Sequence, residues 1–169
     1  MQVIEIRPRT DADLPAAVDA LHAVHLADHY PGAWPAEPAA WLAPPDEVRA
    51  WVAELDGAVV GGVALVPGAT HTQLAEAVGV AADRLLVLSR LFVAPVGRGH
   101  GLARRLVGAA VDEARSRGLR VALDVKEESS AAIALYESLG WTPHGTGVAT
   151  WRTQDGRHPA IRFYLAPEA

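Results

Sequence analysis

The chain has no cysteine among its 169 residues. That absence excludes disulfides, a thiolate nucleophile and zinc sites of the cysteine type. No apolar run approaches the ~18 residues a membrane span requires. The opening MQVIEIRPRT has no apolar signal-peptide core. The expectation is a soluble, cytoplasmic protein with no membrane contact. Positive charge is also short, with 15 basic residues against 20 acidic and a net charge of −5. This argues against nucleic acid as a partner.

Half of the residues are apolar and 21% are charged. This composition predicts one domain, residues 1–169, with a substantial core. The charge is unevenly spread. Met1 to Gly57 holds three basic residues (Arg7, Arg9, Arg49) against ten acidic ones, whereas Asp83 to Arg120 holds eight arginines against three acids. The first region favours cations and the second favours anions.

VIEIRPRT alternates as a strand, and DADLPAAVDALHAVHLADHY reads as an amphipathic helix with Thr10 or Asp11 as its cap. PGAWPAEPAAWLAPPDE, with five prolines and two tryptophans, reads as a loop with at most a short helical turn. RAWVAELDGAVVGGVALVPG gives two strands joined at Asp56-Gly57. THTQLAEAVGVAA reads as a loop able to hold a short helix, and DRLLVLSRLFVAP as a long strand stopped by Pro95. A helix then runs to about Arg117, ended by Gly118. LRVALDV is a strand, SSAAIALYESLGW a helix ended by Gly140, and the remainder two strands around the Asp155-Gly156 turn. The order predicts a mixed α/β fold with a parallel crossover where the glycine-led helix joins two strands.

Gly97, Gly99 and Gly101 alternate with Arg98 and His100 directly before that helix. A strand, a glycine loop and a helix N-terminus together form an anion-receiving arrangement, with unpaired amides and the helix dipole facing the ligand. A P-loop is excluded, because the Gly-Lys-Ser/Thr ending is missing. A dinucleotide fingerprint fits poorly, since neither Gly97 nor Gly99 starts a G-x-G-x-x-G/A match, although Asp124 lies at a spacing suited to a ribose. A purely structural turn is the third reading.

RGHGLA, Arg98 to Ala103, resembles the R/Q-x-x-G-x-G/A signature of the GNAT superfamily of acetyl-CoA-dependent N-acetyltransferases. LFVAP resembles the end of that family's fourth strand. SSAAIALYESLGW resembles its second cofactor segment, N-x-x-A-x-x-x-Y-x-x-x-G-[FW], with Ser129 at the Asn position and Ala132, Tyr136, Gly140 and Trp141 matching. The resemblance covers about residues 83–141. It implies a central, mostly antiparallel, twisted sheet of about six to seven strands flanked by about four helices, with the parallel β-α-β crossover at the cofactor site.

The resemblance also implies roles. Backbone amides of Arg98, Gly99, His100, Gly101, Leu102 and Ala103 would hold the pyrophosphate of acetyl-CoA, with positive charge from Arg98, Arg104 and Arg105. Leu91, Phe92 and Val93 would pair with the pantetheine arm through their backbone, and Ser129 would belong to the second cofactor segment. Tyr136 would protonate or hydrogen-bond the CoA sulfur; otherwise it is a half-buried helix aromatic. The Leu91 or Val93 amide would polarise the thioester carbonyl. With no cysteine to carry acetyl, direct attack by an amine in a ternary complex is the natural mechanism.

Many family members place a glutamate base in the fourth strand, yet Leu85 to Ser89 holds no carboxylate. An amine with a pKa near ~10 must still lose a proton. Glu54, Asp28, His25 and His71 are candidates. A non-catalytic acyl-CoA-binding domain therefore stands as the alternative, with a nicotinamide or flavin enzyme as a third. His22, His25 and His29 share a helix face. With no third ligand type of equal quality nearby, no metal is expected. In GNAT-like folds the first helix and the loop after it wall the acceptor pocket. Tyr30, Trp34 and Trp41 would then line it, and Asp28 and Glu37 would attract an ammonium group; packing under the loop is the other reading. The partners implied are acetyl-CoA and an amine acceptor, and the family likeness admits a homodimer.

Overall fold

The protein is described over residues 2–168 by a computed structural model. In chain order the elements are β1 (Ile4–Pro8), α1 (Leu14–Asp28), α2 (Pro38–Leu42), β2 (Arg49–Leu55), β3 (Ala58–Pro67), α3 (Thr72–Val78), β4 (Leu85–Val93), α4 (Leu102–Ser116), β5 (Arg120–Lys126), α5 (Ser130–Ser138), β6 (Thr142–Val148) and β7 (Ala160–Leu165). The strands are hydrogen-bonded in the order β1-β2-β3-β4-β5-β7-β6. β4 and β5 are parallel with α4 as their crossover, while β1/β2, β2/β3, β5/β7 and β6/β7 are antiparallel. This is the mixed α/β sheet that the sequence predicts. It carries five α-helices among the described residues, one more than expected. The chain forms two compact units, one from the residues up to Val66 with Leu88–Ala110, the other from Pro67–Val87 with the residues from Val111 onward.

In the first unit, α1 buries Ala17, Ala20, Leu21 and Val24, the i, i+3, i+4, i+7 stripe of an amphipathic helix. These residues pack with Leu42, Phe92 and Ala94. The β2-β3 connection has positive φ at both Asp56 and Gly57, the signature of a two-residue type I′ hairpin that matches strand twist. Arg7 on β1 fastens this unit. Its Nη1 and Nη2 donate to both Asp13 carboxylate oxygens at 2.8 and 2.7 Å, and its Nε donates to Glu54 at 2.5 Å. Asp13 also accepts the Thr10 amide at 2.7 Å, so one buried carboxylate ties β1 to the start of α1.

In the second unit, the parallel ladder pairs Leu85, Leu86 and Val87 with Arg120, Val121 and Ala122. α3 packs on β5, β6 and β7. Its sequence reads weakly as a helix because it is only two turns long, and a 3-10 turn at Gly68–Thr70 leads into it. The Asp155-Gly156 turn exists, closed by Thr153 N–H donating to Arg157 O at 2.8 Å. The strands, however, stop at Val148 and resume at Ala160, so the link is a broad loop rather than a tight hairpin. Pro159 and the run of polar residues before it offer no alternating pattern to extend the ladder.

The Asp13 carboxyl is held well below its usual value of 3.8, chiefly by its hydrogen bonds from Arg7. Its contribution to stability is therefore complete above that value and fades as the pH falls through the lower folded one. D13N is expected to cost about 2 kcal/mol at neutral pH in urea unfolding. The difference from the parent should shrink as the pH is taken progressively below 3.8.

Candidate active site

β4 leaves regular geometry at Arg90, whose φ is +58°, a left-handed conformation that costs a branched or long residue roughly 1–2 kcal/mol. Just beyond it the strand lies very close to β3. A Cβ on Gly61 would sit 2.6 Å from the Phe92 carbonyl oxygen, and Ala94 N–H donates to Val60 O at 2.7 Å. Only glycine at position 61 allows that approach. A 3-10 turn, Pro95–Gly97, then hands the chain to the glycine loop.

Within the loop Gly99 and Gly101 have φ of +82° and +71°, and a Cβ on either would meet nothing within 4 Å. Their need for glycine is thus conformational, and the space in front of them is open. The helical ladder starts with Arg105 N–H donating to Gly101 O at 3.2 Å. The amides of Leu102 and Ala103 lie in the helix's first turn, where no acceptor exists within the helix itself. Four turns of α4 align their dipoles behind them. Arg104 and Arg105 are exposed on that turn.

The side chains at the loop are engaged elsewhere. His100 bridges Gly97 O at 3.2 Å and Gln2 Oε1 at 2.7 Å. The Arg98 guanidinium pairs with Asp28 at the end of α1 and reaches Val93 O at 3.4 Å. The backbone, rather than these side chains, is the part of this loop that faces open space.

In the second unit, Ser129 precedes α5, where its carbonyl accepts from Ile133 N–H at 3.0 Å. Tyr136 is 5% exposed, and its ring packs 5.3 Å from Trp141 and 6.5 Å from Tyr164. Asp124 is the one carboxylate on β5. Burial pushes its pKa up, and the charge of His71 offsets part of the rise. A carboxylate kept off its usual value by desolvation is a recurrent mark of proton-transfer sites.

Of the four bases suggested by the sequence, His71 lies within electrostatic reach of Asp124 and the other three are committed elsewhere. Glu54 is ion-paired with Arg7, Asp28 with Arg98, and His25 Nδ1 lies 2.7 Å from Pro31 O. The histidine rings at 22 and 25 pack against Trp34 at 4.9 and 5.4 Å, while His29 caps α1 in a left-handed conformation. Among the described residues no three metal-ligating side chains are gathered. Tyr30, Trp34 and Trp41 pack on the α1-α2 core, with Tyr30 and Trp41 edge-on at 6.1 Å.

Sequence reading missed Arg90 altogether and considered Asp124 only as a ribose ligand. Arg90 is the lone charge of β4 and Asp124 the lone carboxylate of β5, and that was the available signal.

The chain belongs to the GNAT acetyltransferase family, whose model matches residues 17–141. It is 41% identical over 103 residues to an uncharacterized N-acetyltransferase of Azospirillum brasilense, covering 52% of this chain and 57% of that protein. It is 39% identical over 79 residues to the [ribosomal protein bS18]-alanine N-acetyltransferase of Escherichia coli, covering 46% and 53%. The chain thus spans about half the length of these curated relatives. The fold is shared with a putative acetyltransferase from Salmonella typhimurium, solved with its cofactor acetyl-CoA. The TM-score is 0.74 at 21% identity, over 99% of this chain and 95% of that one.

Replacing Gly101 by Ala keeps the space in front of the loop but penalises its left-handed turn. G101A is expected to weaken acetyl-CoA binding about tenfold in calorimetric titration, on the ~1–2 kcal/mol cost of that conformation. Thermal unfolding should move by only a few degrees.

Proposed function

We propose that the protein is an N-acetyltransferase that moves acetyl from acetyl-CoA to a primary amine by direct attack. One observation carries this reading: a strand broken by a left-handed residue leads into two left-handed glycines and the open first turn of a four-turn helix. That backbone suits a pyrophosphate, with Arg104 and Arg105 adding positive charge. The Leu91–Val93 backbone is proposed to pair with the pantetheine amides, and the Leu91 or Val93 amide to donate to the thioester oxygen.

In the proposed reaction the neutral amine nitrogen attacks the acetyl carbon, the carbon–sulfur bond breaks, and CoA leaves as a thiol. Two protons are to be managed. Asp124 is the proposed acceptor of the proton lost by the amine: unlike Glu54 and Asp28 it has no arginine partner among the described residues, and burial disfavours its charged form. Its raised pKa strengthens it as a base. Tyr136 supplies the hydrogen bond or proton to the sulfur, as its place in the second family segment implies. The absence of cysteine removes an acetyl-enzyme route through a thiol.

The acceptor panel should include small amines, lysine-type amines and peptide N-termini, because one relative acts by name on an alanine of a ribosomal protein. CoA-thiol release on such a panel tests the reading. Y136F is expected to lower kcat about 10²- to 10³-fold with acetyl-CoA affinity unchanged. For a base, kcat/KM rises with pH as the group ionises. D124N should therefore abolish the limb that climbs through the raised Asp124 pKa, and Asp124→Glu should restore part of it. Retention of that limb in D124N would exclude Asp124 as the base.

A further inference from the structure

Arg90 sits where the chain departs from regular structure, one residue before the backbone proposed to hold the pantetheine arm. Its left-handed φ of +58° is matched by a specific placement of its side chain. The guanidinium lies 3.8 Å over the Trp41 ring, and Nε donates to Trp41 O at 3.1 Å. These two contacts use the ring face and one N–H. The four N–H bonds on the terminal nitrogens have no hydrogen-bonding partner among the described residues, and no carboxylate lies within ion-pair distance. Asp46 acts on it only from farther away.

The other partly buried arginines of the same unit are treated differently. Arg7 is clasped by Asp13 and Glu54, and Arg9 by Glu47. Leaving a half-buried guanidinium without an anion is costly, and burial does lower its pKa. Tyr30 shares the neighbourhood. Its hydroxyl has no hydrogen bond among the described residues, and burial pushes its pKa up to about 12, so it stays a neutral donor. Trp41 and Tyr30 lie edge-on to one another. The cluster is an oriented cation and a phenol that lack an anion.

We propose that Arg90 is an acceptor-specificity residue: its terminal N–H groups receive a carboxylate that the acceptor carries within a few bonds of its amine. The inference rests on the acetyltransferase reading, because it places the acceptor's amine at the carbonyl polarised from Leu91 or Val93. A strand advances ~3.3 Å per residue. A group bound at Arg90 is then only a short molecule's length from that point. The acceptor class is therefore an amino acid, or a peptide whose first or second residue supplies the carboxylate. If Arg90 served only to staple α2, the stacking and the Nε bond would suffice and its terminal nitrogens would need nothing.

The test uses binding, which does not depend on turnover. The CoA-loaded protein is titrated calorimetrically with N-acetyl-L-alanine against N-acetyl-L-alaninamide, and with N-acetyl-Ala-Glu-amide against N-acetyl-Ala-Gln-amide. The carboxylate-bearing member of at least one pair should bind about 10- to 100-fold more tightly, as a charge-assisted pair supplies. The first pair identifies a free amino acid and the second an acidic peptide. In R90Q the preference should collapse to below about twofold, while R90K keeps part of it. Equal affinities within both pairs in the parent protein would overturn the proposal, as would a preference that survives in R90Q. Selective binding without CoA release from any matching amine would leave the Arg90 assignment standing and sink the transfer reading. Turnover without selectivity would do the reverse.

Discussion

A strand that must change its geometry partway along its length is the constraint on which the site depends. β4 begins in a parallel ladder with β5 over Leu85–Val87. It then turns left-handed at Arg90 and ends with Phe92 and Ala94 pressed against the glycine-lined backbone of β3. A regular strand could not do all three. The turn at Arg90 costs backbone energy, which the Trp41 contact and the Phe92 burial offset locally. The glycine loop and α4 follow directly, so the direction in which their amides face is inherited from the end of β4.

Charges fall into closed ion pairs and a few strand charges left outside them. Arg7, Asp13 and Glu54 form a closed set, as do Arg9 with Glu47 and Arg98 with Asp28. These pairs consume four of the ten acids that make the N-terminal third look cation-seeking, so its net charge overstates what is left for an acceptor. The informative charges are those left over: Arg90 without an anion, and Asp124 raised by burial with only His71 to favour its ionised form. Both interrupt apolar strands, where an unpaired charge has no structural benefit.

The fold was legible because its signals are local. Asp56-Gly57 forms the predicted type I′ hairpin, the apolar stripe of α1 is buried, and α4 begins just after the loop glycines. The weaker readings had local causes too. α3 is too short to show a helical period, and the segment around Asp155-Gly156 has turn chemistry without flanking alternation. The candidate site was suggested in the sequence only by the two motifs RGHGLA and SSAAIALYESLGW. Side-chain roles depend on partners distant in sequence. Nothing in the sequence tells that Glu54 meets Arg7 or that Arg90 lies over Trp41, 49 residues away. The base candidates Glu54, Asp28, His25 and His71 lie outside the fourth strand, and the sequence suggests Asp124 on β5 only as a ribose ligand.

The most direct measurement of the anion assignment is amide hydrogen exchange with and without saturating acetyl-CoA, resolved to single residues. Slowed exchange at Gly99 to Ala103, together with Leu91 and Val93, is the expected result, with the desulfo analogue and CoA itself giving the same loop protection. Saturable binding that leaves those amides unchanged, or that protects a different segment instead, would contradict the placement of the cofactor on this loop.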